Sequence, residues 1–308
     1  MRSLFIIGNG FDLSHSLPTS YEDFRQYLIH NYPRAVKDSP SFNINSMILP
    51  DDSEVYDKDD VVSFLMDIIS KAEPNGENWS DIETSLGQLD FEEYLYEMSS
   101  LLDDDDNDKD MWRRANRNED ASEHFYKVTL KIKDLFSEWV NSIDISYVRT
   151  NKIFQGLIDN ENDVFLTFNY TNVLEDLYGA EHVFHIHGTQ RSEIIIGHGI
   201  SREDFENTYV GSEWALAKIH HSLQKNIMEI IGSSSLFFNE LKSINNIYSY
   251  GFSFSEVDLP YINEIIKKVN TENVTWYLSG YDHKEVIEKY IEVIKTCGFK
   301  GTFEIFNL

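Results

Sequence analysis

One cysteine, six prolines and a shortage of basic side chains set the first limits on this chain of 308 residues. Cys297 alone can form neither an intrachain disulfide nor a cysteine-rich zinc site. The prolines do not cluster into a hinge, and no internal repeat or low-complexity linker stands out. No apolar stretch approaches the ~18 residues that a membrane span needs. The first residues lack a signal-peptide pattern, because Leu4-Phe5-Ile6-Ile7 is too short. A cytoplasmic protein with no membrane partner is expected. Lys and Arg number 26 against 53 Asp and Glu, a net charge of −27. Such a surface repels phosphate backbones, so no general nucleic-acid binding is expected.

The abundant residues point to a folded protein: 41% of the chain is hydrophobic and 14% aromatic, enough to build a core. Part of the acidity is concentrated in Asp103-Asp104-Asp105-Asp106-Asn107-Asp108-Lys109-Asp110. This run reads as a solvated loop, without the glycine and distal glutamate of an EF-hand calcium site.

Strand-like apolar runs fall at Leu4–Ile7, Val164–Thr167, Val183–Ile186, Ile194–Ile196, Ile247–Tyr250, Val274–Leu278 and Phe303–Phe306. Only the first precedes residue 160. Between Tyr21 and Asp159 the apolar spacings of three and four predict helices over Tyr21–Tyr32, Val61–Ala72, Ile82–Leu101 and Asp120–Ser142. Further helices at Trp214–Ile231, Leu259–Val269 and His283–Thr296 alternate with the later strands. The expected architecture is a single α/β domain over 1–308. Its core is 1–20 and 160–308, with 21–159 as a mainly helical insertion after the first strand.

Four strand exits collect polar residues or glycines: Gly8-Asn9-Gly10-Phe11-Asp12, Thr167-Phe168-Asn169-Tyr170-Thr171, His185-Ile186-His187-Gly188-Thr189, and Gly251-Phe252-Ser253. In open parallel sheets ligands bind beyond the carboxyl ends of the strands, so their convergence points to a nucleotide crevice. The first lacks the third glycine of a dinucleotide fingerprint, because Leu13 stands there.

Gly8-x-Gly10 followed by Ser16-Leu17-Pro18, then Thr167-x-Asn169, His187-Gly188 and Gly251-x-Ser253, resembles the sirtuin succession of nucleotide loop, TxN, HG and GxS. More closely, GNGFDLSHSLPTSYEDF with TFNYTNVLEDLYG and HIHG resembles the AbiH family of phage abortive-infection proteins. The resemblance covers about half the chain, and Trp79-Ser80-Asp81-Ile82-Glu83 extends it into the insertion. It implies a Rossmann-like, sirtuin-type parallel sheet flanked by helices, and NAD+ cleavage in antiviral defence without an acyl-lysine acceptor. The sequence departs from sirtuins at Thr171, where an aspartate is usual, at Tyr21 for an arginine, at Asp12 for a serine, and in lacking a four-cysteine zinc ribbon.

On that resemblance Asn169 and His187 are the catalytic candidates. Asn169 would orient a water or ribose hydroxyl, and His187 would act as base. NAD+ would be a substrate, bound by Gly8, Asn9, Gly10, Phe11, Asp12, Thr167, Gly188, Gly251 and Ser253. Backbone amides of Gly8 to Phe11 would meet its pyrophosphate. Asp12 could accept from a ribose hydroxyl or cap the following helix. No metal is expected, since an HxH site of His185 and His187 with His182 or His198 would leave Asn169 and the glycine turn without a role. His185 reads as a structural residue. Rival readings are a non-catalytic NAD or ADP-ribose sensor and a HEPN-like ribonuclease using Arg25 and His30. A homo-oligomer or an activating partner protein remains open.

Overall fold

Ser3–Ile7, five consecutive buried residues, forms strand β1 inside a six-stranded sheet. The computed structural model describes residues 2–35, 44–76, 78–101, 111–206 and 209–307; the acidic run from Asp103 to Asp110 lies outside them. The other strands are β2 (Val164–Thr167), β3 (Val183–His185), β4 (Asn246–Tyr250), β5 (Thr275–Ser279) and β6 (Thr302–Phe306). Every pairing is parallel, and the spatial order is β3-β2-β1-β4-β5-β6. This is the order of doubly wound dinucleotide-binding sheets, reversing direction between β1 and β4.

Alternation along β1 sends side chains to two packed faces. Leu4 and Ile6 join Leu166, Ile247 and Trp276 in a core closed by Tyr261, Ile262 and Ile265 of helix Leu259–Lys268. On the opposite face Phe5 stacks on Phe165 and Tyr248, with centroids 5.1 and 4.7 Å apart, and meets Phe154 of helix Lys152–Leu157 edge-on. A strand apolar on both faces is therefore covered on both, as parallel sheets require.

The chain divides into two compact units. The sheet unit comprises 1–20, 140–195 and 226–308; the second comprises 21–139 and 196–225. The second unit begins at Tyr21, as the expected insertion 21–159 does, but it ends at 139 and takes in 196–225 as well. Residues 140–159 group with the sheet because Phe154 fills its aromatic core and Gln190 Nε2 donates to the Val140 and Ile143 carbonyls, 2.8 Å each. Residues 196–225 group with the helices: Lys225 Nζ pairs with Glu83 at 2.6 Å, and Lys218 Nζ with Glu123 at 3.5 Å.

Three expected helices are each broken in two. Residues 82–101 divide into Ile82–Leu86 and Glu92–Leu101, with Asp90 accepting from the Glu92 amide between them. Residues 120–142 divide at Leu130 into Met111–Thr129 and Lys131–Ser142. Residues 214–231 divide into Glu213–Leu223 and Ile227–Ser233, the latter started by Asn226, whose side chain accepts from the Glu229 amide. Ile194–Ile196 is not a strand. An antiparallel ribbon of Ser46–Ile48 and Glu54–Tyr56, too short to leave an alternating pattern, was not expected.

The Trp79–Glu83 stretch has a structural explanation. Buried Glu73 accepts from the Ser80 and Asp81 amides and from the Ser80 and Ser85 hydroxyls. No described helix is long and apolar enough to cross a membrane.

Candidate functional site

The loops leaving β1 and β4 meet where the strand order reverses. Gly8 N–H donates to the Tyr250 carbonyl at 3.1 Å, and Gly10 N–H to that of Gly251 at 3.0 Å. A Cβ on Gly8 would stand 2.4 Å from the Gly251 oxygen, and one on Gly10 2.6 Å from the Gly251 Cα. Gly251 itself has φ of +65°. The glycines thus serve an approach of backbone to backbone. With Phe11 N–H bonded to the Gly8 carbonyl, the amides of Gly8, Gly10 and Phe11 are turned inward and not toward a pyrophosphate. Asn9 Nδ2 donates to the Thr19 carbonyl, and the Phe11 ring packs against Phe154, Tyr178 and Tyr250.

Asp12, two residues past Gly10, is buried. Gly8 holds the cap position of helix Asn9–Ser14, with no side-chain cap hydrogen bond, so Asp12 is not the cap of that helix. It accepts from Asn169 Nδ2 at 2.8 Å and from Thr171 Oγ1 at 2.6 Å. Burial pushes its pKa up to about 7, against the opposing pull of the two hydrogen bonds and the nearby His185.

Asn169 stands two residues beyond β2, its amide N–H bonded to Thr167 Oγ1 at 3.1 Å. Its Oδ1 is buried without a hydrogen-bond partner. Its backbone carbonyl faces His185 Nδ1 at 2.9 Å, while His185 Nε2 faces Glu175 Oε1 at 2.7 Å. Both ring nitrogens of His185 are thus engaged by oxygen atoms.

The strand expected over Val183–Ile186 is shorter: β3 ends at His185, and Ile186 and His187 lie in the turn that follows. Gly188 there has φ of +84°, and a Cβ on it would meet the Glu193 carbonyl. His187 is buried, its Nε2 3.3 Å from the Tyr261 hydroxyl and its ring edge-on to Phe168. Asn169 therefore turns to Asp12 and His187 to Tyr261. His182, one residue an HxH metal site would add, faces the Glu161 carbonyl, and His198, the other, belongs to the second unit. Arg25 and His30 lie on one helix, Tyr21–Asn31. Five residues apart, they point about 140° from each other.

A cleft of about 300 Å³ opens beyond β4 and β5. The helix after β1 contributes Gly10, Leu13 and Ser14, and the end of β4 with its exit contributes Tyr250 to Ser253. Ser279, Tyr281, Asp282 and Tyr290 complete it. Among the residues expected to bind a cofactor, Gly10, Gly251 and Ser253 line this cleft. Asp12, Thr167 and Asn169 form the buried network, and His187 with Gly188 lies on the next loop. Sequence reasoning missed Ser279, Tyr281 and Asp282, although Ser279-Gly280-Tyr281-Asp282 is a fifth polar strand exit.

A family model described as "Bacteriophage abortive infection AbiH" matches residues 4–279. No curated protein and no solved structure matches the chain.

Proposed function

The chain belongs to the AbiH family of bacteriophage abortive-infection proteins, a membership that implies a role in phage defence, and from that premise we propose that it cleaves NAD+ to nicotinamide and ADP-ribose when infection is sensed. The carrying observation is what meets at the sheet's reversal point. Gly10 lines a cleft of tyrosines and hydroxyls. Two residues along the same turn stands a buried carboxyl that titrates near neutral pH, beside an asparagine with an unused acceptor.

A second support is an exchange of residues. Relative to the sirtuin pattern, carboxylate and hydroxyl have changed places between positions 12 and 171, and Thr171 donates to Asp12 across the exchange. Either arrangement puts one carboxylate and one hydroxyl beside Asn169.

The chemistry follows from those groups. Breaking the bond between the nicotinamide nitrogen and ribose C1′ passes through an oxocarbenium-like state, as glycoside cleavage does. The bonding electrons return to the pyridinium nitrogen, so neutral nicotinamide leaves without a strong acid. Water supplies the new oxygen at C1′, and one proton must be removed from it. Ionised Asp12 would take that proton and stabilise the positive charge at C1′. Asn169 would orient the water or a ribose hydroxyl through Oδ1. His187, on the neighbouring loop, would be a second base. The reaction so written uses no metal.

The test is incubation with NAD+ and, separately, RNA, followed by chromatography of the products. Nicotinamide release that is lost in Asn169→Ala and His187→Ala supports the hydrolase. Tight NAD+ binding without turnover would replace it by a sensor, and RNA degradation would revive Arg25 and His30.

A further inference from the structure

The switch-point cleft has a marked chemical bias. Its polar lining residues are Ser14, Ser253, Ser279, the tyrosines Tyr250, Tyr281 and Tyr290, and one ionisable acid, Asp282. No Lys, Arg or His is among its lining residues. The Asp282 side chain makes no hydrogen bond or ion pair among the described residues. A phosphate seated beside Asp282, where a ribose 2′-phosphate would lie, would meet a carboxylate and no basic lining residue, in a chain already carrying −27. A ribose would meet the opposite: a carboxylate with two free acceptor oxygens suits a vicinal diol, whose hydroxyls both donate. The exposed ring of Tyr281 adds a surface on which a heterocycle can stack.

We infer that this cleft takes an adenosine-type nucleoside with free ribose hydroxyls and rejects one bearing a 2′-phosphate, with Asp282 as the residue that decides between them. The inference rests on the nucleotide reading of the site and makes it narrower: the substrate is NAD+ and not NADP+. Asp282 acts here as a specificity residue, outside the Asp12–Asn169 network that would carry the reaction.

Two readouts separate the inference from the hydrolase reading. Calorimetric titration with AMP and with adenosine 2′,5′-bisphosphate measures the preference without any turnover. Nicotinamide release from NAD+ and NADP+ measures it in the reaction. The wild-type protein is expected to prefer the nucleotide lacking the 2′-phosphate by tenfold or more. Asp282→Asn should weaken AMP binding roughly tenfold, the loss of a charge-assisted hydrogen bond. Asp282→Lys should bring the 2′-phosphorylated ligand level with, or ahead of, the other. AMP binding that follows this pattern would support the cleft's specificity even where no NAD+ cleavage accompanies it in vitro. NAD+ cleavage with equal use of NADP+, or with a preference that neither variant moves, would overturn the role of Asp282 and leave the hydrolase standing. Failure of the wild-type protein to bind AMP would overturn the inference outright.

Discussion

Asn169 Nδ2 donates to Asp12 Oδ1 at 2.8 Å across 157 positions of sequence, joining the loops that follow the two adjacent strands β1 and β2. The contact is buried, and with Thr171 it supplies both hydrogen bonds that the Asp12 carboxylate receives. It gives a titrating group and an orientable amide to the same point of the fold.

The Asp12 carboxyl makes stability depend on pH. The folded protein holds its proton up to about pH 7, whereas an ordinary aspartate releases it near 3.8. The folded state thus binds more protons between those values, so stability falls as pH rises through that window and levels off above it. The effect is on the order of 4 kcal/mol at most. Thermal melts from pH 5 to 8 should show this decline in the wild-type protein and a flatter profile in Asp12→Asn. A wild-type profile as flat as that of the variant would place the Asp12 pKa in the ordinary range.

His198 produces a dependence of the opposite sign in the helical unit. Its Nδ1 accepts from the Ile200 amide and its Nε2 donates to the His220 carbonyl, so both nitrogens are committed in the neutral ring. Burial first, then the neighbouring His220, lowers its pKa from 6.5 to about 4. Its stabilisation is complete above pH 6.5 and lost as pH falls toward 4, on the order of 3 kcal/mol at most. Amide protection factors across residues 196–225, taken relative to the intrinsic exchange rate at each pH, should fall over that acid range, and His198→Asn should blunt the change.

Lys225 and Glu83 test how the second unit is tied together. The ion pair is 2.6 Å long, and the lysine side chain is 1% exposed. Removing one partner leaves a buried charge, so Lys225→Met should cost about 3–5 kcal/mol in denaturant unfolding. Lys225→Met combined with Glu83→Leu should recover much of that loss. Equal stability of the single and double variants would show that the charge left behind costs nothing.

Gly251 sets the loop geometry of the site. At φ of +65°, with a substituted Cβ only 2.3 Å from the Phe11 amide nitrogen, Gly251→Ala should push the β1 and β4 loops apart. A loss of at least about 2 kcal/mol is expected from the left-handed backbone and the clash together. Wild-type melting of this variant would contradict the close approach.

How much of this was legible in the sequence depended on the range of the interactions involved. The runs at Leu4–Ile7 and Val164–Thr167 became strands because a fully buried strand needs only local apolar residues to be recognised. Ile194–Ile196 has the same composition, but the turn at Gly188 brings the Ile195 amide back to the His187 carbonyl, and no ladder forms. Helix breaks near Gly87, Leu130 and Gln224 depend on capping and tertiary contacts that periodicity does not encode. At the site, Asn169, Gly10, Gly251 and Ser253 carried recognisable motifs. The bond from Thr171 to Asp12 spans 159 positions and could be seen only once β1 and β2 were paired. Asp282 was missed because it stands one loop beyond the motifs that drew attention.

The most direct measurement of the central claim is the NAD+ content of cells challenged with phage, which bypasses the need to supply an activating signal in vitro. Cells carrying the wild-type protein should lose NAD+ and accumulate nicotinamide and ADP-ribose after infection. Cells carrying Asn169→Ala or Asp12→Asn, expressed at equal level and folded, should keep it. Phage resistance by the wild-type protein with NAD+ unchanged throughout infection would contradict NAD+ cleavage as the means of defence.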